Sequence, residues 1–331
     1  MTIHVGVIGC GKIAEKHLAA YKKLEGVRTT VTDIVSKGED VAKRYGAEWN
    51  PDPRRLISSR TIDAVDVCIP TPSHARTIID ALESGHHVFC EKPLASNLEE
   101  AKRIADVASR TDAVVMVGFL YRFHPAFQFV KEVLAEEVIG EPYFALFRLG
   151  GRGSHKAWKH KRETGGGAAN EMMVHMADLA LWYFGSPQRT RMVLEDTLLP
   201  HREIEGASVE AEAEDICILE MHMGSGVRAV CESDLITPSY MNYMEIQGTN
   251  GSLLTSILDF FPSIVYCKDP VGTYDRGHNF LHFPKVDLFE RELGHFVECI
   301  DHGSEPSVNS LEESVSLMEL LETIDRKEAG R

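Results

Sequence analysis

Val5-Gly-Val-Ile-Gly-Cys-Gly-Lys-Ile-Ala14 runs from a short apolar stretch into glycines and then into a helical pattern over Ile13 to Leu24. Gly9, Gly11 and Ala14 stand where a dinucleotide fingerprint needs a tight turn, room for a pyrophosphate beside the backbone, and a small residue where helix meets strand. The phosphates would sit on the N–H groups and positive dipole of the helix N-terminus, around Lys12 and Ile13. Such a glycine turn is common on its own, and its context sharpens it. The preceding strand begins at Ile3, and a second apolar strand, Thr29 to Val35, carries Asp33 at its carboxyl end. Asp33 lies about 20 residues past the glycines, the spacing of an acid that hydrogen-bonds a ribose diol. It would repel a 2′-phosphate, so NAD is expected, while Ser36 and Lys37 leave NADP open. The competing reading is a plain strand–helix turn with a solvated Asp.

Outward from this stretch, strands and helices alternate over the first 120 residues. Ala64 to Ile69, His87 to Cys90 and Val114 to Gly118 read as strands, with helical patterns at Pro72 to Ser84 and Leu98 to Thr111. Single helices between strands imply a parallel, doubly wound sheet whose ligands bind at the strands' carboxyl ends. Past His124-Pro125 the pattern changes to a helix, Ala126 to Val138, and longer alternating strands at Tyr143 to Leu149, Ile216 to Met223, Val227 to Leu235 and Tyr243 to Gln247. This second part reads as a mostly antiparallel sheet with the helix Gly167 to Phe184 on one face. Glu203 to Asp215 reads as an acidic, solvated loop, and two amphipathic helices, Asp287 to His302 and Leu311 to Arg326, close the chain. The expected fold is therefore α/β: a Rossmann dinucleotide-binding domain, then an α+β domain with a large, open, mostly antiparallel sheet.

At 331 residues the chain exceeds the size of one hydrophobic core, so two domains are the default. Its 35 Lys+Arg against 50 Asp+Glu, a net charge of −15, oppose binding to nucleic acid or anionic lipid. The same balance favours an uncharged or amino-bearing substrate over a nucleotide sugar. The 7 cysteines are scattered without a Cys-x-x-Cys pair, as in reduced cytosolic proteins and unlike a disulfide framework or zinc site. No leader and no apolar run of about 18 residues is evident, so a cytoplasmic protein without a membrane partner is expected.

Two stretches carry candidate chemistry. In Cys90-Glu-Lys-Pro93, proline biases Lys92 toward an extended backbone at the end of a strand, where a nicotinamide would lie. A lysine there can donate to a reacting hydroxyl and to a cofactor ribose; from the tripeptide alone, an exposed loop lysine is the plainer reading. In Gly165-Gly-Gly-Ala-Ala-Asn-Glu-Met-Met-Val-His-Met-Ala-Asp178, spacings of four and three put Glu171, His175 and Asp178 on one helix face. A carboxylate one turn from an imidazole suits a general base. A core histidine tied to an acid competes with that reading. A metal site is the third option, but further spaced ligands are lacking, so no metal is expected.

Read jointly, Val7-Ile-Gly-Cys-Gly-Lys-Ile-Ala14 with His17, Cys68-Ile-Pro-Thr-Pro-Ser-His74, Glu91-Lys-Pro93, Gly118-Phe-Leu-Tyr-Arg-Phe-His-Pro125, Gly165-Gly-Gly through Asp178, and Phe289-Glu-Arg-Glu-Leu-Gly-His-Phe-Val-Glu-Cys-Ile300 with Pro306 resemble the glucose–fructose oxidoreductase/inositol dehydrogenase/rhizopine catabolism (Gfo/Idh/MocA) family. The resemblance implies an NAD(P)-binding domain over 1–121, a substrate-binding and oligomerisation domain over 122–305, and a last helix, 306–331, returning to the first domain. It implies that the open sheet pairs copies of the chain into a homodimer or homotetramer. By carry-over, Lys92 touches substrate hydroxyl and nicotinamide ribose, His175 is the general base, and Glu171 is its partner. Pro70, Thr71, His74, Glu91 and Arg122 would line the cofactor, and His17 is a packed helix residue. The family's usual aspartate is Glu171 here, one methylene longer, which puts the geometry of the dyad in question. Tyr121, His124, Arg152, His155, Trp158 and Tyr240 are candidates for binding substrate hydroxyls.

The implied activity is oxidation of a secondary hydroxyl of a sugar, amino sugar or cyclitol to a ketone, with NAD as hydride acceptor. Two alternatives share the fold: an NAD-dependent glycosidase or eliminase that oxidises transiently, and a non-catalytic, sugar-responsive regulator that binds NAD(P).

Overall fold

The computed structural model describes residues 2–35, 38–151, 156–162, 165–204, 206–258 and 260–326. They divide into two compact units, Met1–Phe123 with Val286–Glu322, and His124–Lys285 with Thr323–Arg331.

In the first unit, β1 (Ile3–Ile8), α1 (Lys12–Tyr21), β2 (Val27–Thr32), α2 (Gly38–Tyr45), β3 (Glu48–Trp49), α3 (Pro53–Ile57), β4 (Ala64–Val67), α4 (His74–Glu83), β5 (His87–Glu91), α5 (Leu98–Ala108) and β6 (Val115–Gly118) follow in turn. The strands form a parallel sheet in the order β3-β2-β1-β4-β5-β6. The central strands β1 and β4 are mostly apolar and buried throughout, because helices cover both faces of such a sheet. The order reverses direction between β1 and β4, the switch point at which these folds bind nucleotides. The second strand stops at Thr32, short of the expected Val35, so Asp33 opens the loop that follows it.

The second unit contains α6 (Pro125–Ala135), β7 (Pro142–Gly150), α7 (Val174–Phe184), β8 (Pro187–Asp196), β9 (His201–Ile204), β10 (Ala207–Glu210), β11 (Ile216–Met223), β12 (Arg228–Asp234), β13 (Met241–Gly248), β14 (Gly251–Thr255), β15 (Ser263–Cys267) and β16 (Gly277–Leu281). Eight of these form one sheet, β16-β15-β14-β13-β7-β12-β11-β8, in which β7 and β12 run parallel and the other neighbours antiparallel. Burial alternates along β11 and β13, so the sheet has a dry face and a half-exposed one. On the dry face Phe147 stacks on Tyr183 of α7 at 6.3 Å between ring centres. On the other, Leu146 lies beside Val230 and Glu245, and the rim exposes Tyr143, Tyr266 and Phe280.

Two expectations need correction. The stretch Glu203 to Asp215, expected as a loop, contributes to an antiparallel hairpin of β9 and β10, with Ile204 buried. Ala207 and Val209 alternate along β10, with Ile204 opposite Ala207, a pattern that the surrounding acids mask. The helix α8 (Leu288–His302), expected within the second domain, belongs to the first unit with α9 (Leu311–Thr323). Its Leu293, Phe296 and Cys299 join Val5, Leu18, Phe89 and Met116 in that unit's core.

Candidate active site

The cofactor half is built in the first unit. Gly9 has φ +108°, and a Cβ on it would lie 2.4 Å from the carbonyl oxygen of Cys68, so only glycine lets this turn pass the end of β4. Gly11 takes an ordinary φ of −73° as the N-cap of α1, where no side chain caps the helix. A Cβ on Gly11 would meet nothing within 4 Å; its absence therefore serves space in front of the helix and no packing inside the protein. Ala14, fully buried, gives the small contact between helix and strand. Asp33 accepts the Cys10 N–H at 2.7 Å and the Val35 N–H at 3.1 Å, which leaves its carboxylate further acceptor capacity at the end of β2. A glycine cradle, the positive end of a ten-residue helix and a strand-end acid together fit a dinucleotide with an unphosphorylated ribose.

The remaining loops lie at the same carboxyl-terminal edge of the sheet. Pro70 precedes a turn of 3-10 helix, Thr71–Ser73, and is exposed. His74 is 1% exposed, its ring nitrogens 2.9 Å from the Pro93 carbonyl and 2.7 Å from that of Ile69. It thus braces the loops after β4 and β5 from behind. Burial pushes its pKa below the usual imidazole value, against the two carbonyl contacts, which raise it. Glu91 ends β5, and one of its oxygens accepts the Lys92 N–H at 3.3 Å. Lys92 is half-buried, and its peptide bond to Pro93 is cis. Tyr121 sits in the 3-10 turn Leu120–Phe123, half-buried, whereas Arg122 beside it is 1% exposed and pairs with Glu313 of α9 at 2.6 Å.

The second unit carries the proposed base. The expected helix over 167–184 is a π-helical stretch, Ala169–Met173, running into α7. The glycines before it are spacing devices: a Cβ on Gly166 would lie 2.3 Å from the Lys159 carbonyl oxygen, and one on Gly167, at φ +111°, 2.2 Å from the Glu214 carboxylate. That carboxylate accepts the Ala169 N–H at 3.2 Å, and burial raises its pKa. Wide π turns often mark functional sites because they re-aim side chains. This one carries Glu171, four residues before the half-buried His175, with Asp178 2% exposed one turn further on. Glu171 forms a short ion pair with Lys159, a residue the sequence reading missed. The Lys159 ammonium also lies 5.4 Å from the centre of the Trp158 ring, which links two of the expected site residues. The Lys156-Ala-Trp-Lys-His-Lys161 cluster of cations was the available signal.

Among the other substrate candidates, His124 caps α6 by accepting the Ala126 N–H at 3.2 Å, and Tyr240 is 37% exposed with its main chain against Gly151. Arg152 and His155 lie outside the described residues. The seven cysteines are free, and among the described residues no helix is long and apolar enough to cross a membrane.

Residues 3–119 match the model of the oxidoreductase family with an NAD-binding Rossmann fold, and residues 127–254 match the GFO/IDH/MocA C-terminal domain. The chain belongs to the Gfo/Idh/MocA oxidoreductase family. Among its relatives are the myo-inositol 2-dehydrogenase of Thermotoga maritima, 26% identical over 96% of this chain and 93% of that one, and the NAD(+)-dependent scyllo-inositol 2-dehydrogenase of Bacillus subtilis, 26% identical over 95% and 91%. The crystal structure of an NAD-binding oxidoreductase from Klebsiella pneumoniae superposes with a TM-score of 0.86 over 97% of this chain and 95% of its own, at 24% identity. This Gfo/Idh/MocA chain thus has the family's NAD-binding Rossmann domain and its sheet domain.

Proposed function

We propose that this chain oxidises a secondary hydroxyl of a sugar, amino sugar or cyclitol to a ketone, reversibly. The observation that carries the reading is Lys92, held directly after β5 at the carboxyl-terminal edge of the sheet that also presents the Gly9–Gly11 loop and Asp33. NAD, when bound there, supplies the hydride acceptor. Lys92 donates a hydrogen bond to the reacting hydroxyl oxygen and polarises it. His175 takes the hydroxyl proton as the carbon's hydride leaves, so the alcohol loses one hydride and one proton. Glu171, tied to Lys159, orients the substrate hydroxyls beside that base. The dehydrogenase relatives named above support a polyhydroxylated ring as the substrate class. The half-exposed face of the eight-stranded sheet, with Leu146, Val230 and the rim residues Tyr143 and Phe280, supports pairing with further copies of this chain as a homodimer or homotetramer. Free thiols support residence in the reducing cytoplasm.

The test is formation of reduced nicotinamide from NAD, and separately NADP, across free sugars, amino sugars, sugar phosphates, nucleotide sugars and inositols. Turnover of one uncharged or amino-bearing class with NAD is expected. Tight NADH binding with every substrate silent would overturn the reading in favour of transient oxidation or a regulatory role.

A further inference from the structure

A chain of acids and an imidazole, buried except at its Glu91 end, joins the first helix of the first unit to the residue preceding Lys92. His17 on α1 is 0% exposed. Its Nδ1 lies 2.8 Å from Asp66 Oδ2 on β4, itself 0% exposed, and its Nε2 lies 3.1 Å from Glu91 Oε1 at the end of β5. A carboxylate only accepts hydrogen bonds, so serving both acids requires a proton on each ring nitrogen. His17 is therefore an imidazolium flanked by two carboxylates. Burial opposes that charge, but the charge of Asp66 and its hydrogen bond to the ring outweigh it, and the His17 pKa sits well above its ordinary value. Cys68 donates its thiol proton to Asp66 at 3.3 Å, and burial keeps that thiol un-ionised. The Tyr21 phenol, buried one turn on, is likewise held neutral by burial and by Asp66. Phe89 and Phe289 wall the ring at 5.4 and 5.5 Å between centres.

The ligand-type atoms of His17, Asp66 and Cys68 lie within 4.8 Å of one another. At 2.8 Å the His17–Asp66 gap is that of a shared proton; two zinc ligands at about 2 Å from a tetrahedral ion would stand about 3.3 Å apart. Packing alone does not explain the arrangement either. An apolar residue would fill the space, whereas this one balances a buried and a partly buried carboxylate and extends a continuous path, Asp66 to His17 to Glu91 to the Lys92 N–H.

We propose that His17 is a positioning residue for hydride transfer: it pins the Glu91 carboxylate, and through it the main chain carrying Lys92, at the carboxyl-terminal edge of the sheet. The proposal rests on the role given to Lys92 above.

The full chain, with His17→Gln, Glu91→Gln and both together, tests it through NADH affinity, read by nicotinamide fluorescence without any substrate. Each single change removes a charge-assisted link and is expected to weaken NADH binding by about tenfold. The double variant should lose no more than the weaker-binding single one, because the two residues act along one path. Losses that multiply, or His17→Gln within about twofold of the parent, overturn the proposal. Should His17→Gln fail to fold, histidine-ring nitrogen NMR on the parent decides. One of the 15 histidines should keep both ring nitrogens protonated at about pH 8.5, where exposed imidazoles are neutral. A spectrum with none overturns the proposal. Failure of the dehydrogenase reading would show differently, as a silent substrate panel with NADH binding and its non-additivity intact.

Discussion

The carboxylate of Asp33 closes the glycine loop from the neighbouring strand, accepting the Cys10 N–H at 2.7 Å. One residue therefore shapes the loop and, in the proposed reading, would also bind the ribose of NAD. Asp33→Ala should weaken NAD binding by about 10- to 100-fold, the scale of a lost charge-assisted bond, and narrow the gap to NADP. Equilibrium binding of both nucleotides checks this; an unchanged NAD preference would assign discrimination to other residues.

Gly9 and Gly11 should fail in different ways. Alanine at 9 meets the Cys68 carbonyl at 2.4 Å with φ at +108°, so the melting temperature should drop, on the order of 5 °C. Alanine at 11 meets nothing in the protein, so melting should hold while NAD binding is lost. Calorimetry paired with a binding titration separates the two, and equal melting losses would contradict the contrast.

Lys92→Ala should lower turnover at least 10²-fold, the usual scale for a group that acts on the reacting proton or oxygen, with melting unchanged. Near-parental turnover would remove Lys92 from the mechanism.

The Lys159–Glu171 pair predicts a shared phenotype. Lys159→Met and Glu171→Gln should each reduce kcat/KM about tenfold, and the double variant little further, since each releases the other. Steady-state kinetics on the three proteins suffice; strictly multiplying losses would mean that the pair does not act as a unit.

Stability should fall on mild acidification. Burial lowers the folded-state pKa of His74, His4 and His87, so the unfolded chain takes up protons first as pH drops through about 6.5. Their contribution is present above that value and is lost below it. Melting temperature should decline between about pH 7 and 5.5, and His74→Gln should flatten the decline. His17, with its raised pKa, acts in the opposite sense, so the difference between parent and variant is the readout: a His74→Gln profile parallel to the parental one would mean that this ring is proton-accessible in the folded state.

What was legible in the sequence follows from range. The parallel sheet shows through because β1, β4, β5 and β6 are mostly apolar and the glycine turn punctuates them. The edge strand β8 did not, since Pro-Gln-Arg-Thr-Arg-Met-Val-Leu-Glu-Asp alternates charges at an exposed edge and resembles a loop. In the site, Gly9, Gly11 and Asp33 stood out as candidates from local spacing, whereas Lys92 read locally as an exposed loop lysine and came forward only through the family resemblance. His17 read as a packed helix residue because its partners, Asp66 and Glu91, stand 49 and 74 positions away, and only folding unites them. Lys159 and Glu171 are separated by a glycine turn that no helical periodicity spans.

The placement of α8 and α9 in the first unit sets an order on biosynthesis. A ribosome that has released residues up to 285 has delivered all sixteen strands named above, yet the first unit still lacks Leu293, Phe296 and Cys299 from its core. The nucleotide-binding unit thus begins first and finishes after the sheet strands of the other unit have emerged. Its half-made core is the surface that a nascent chain must keep from other molecules in the interval.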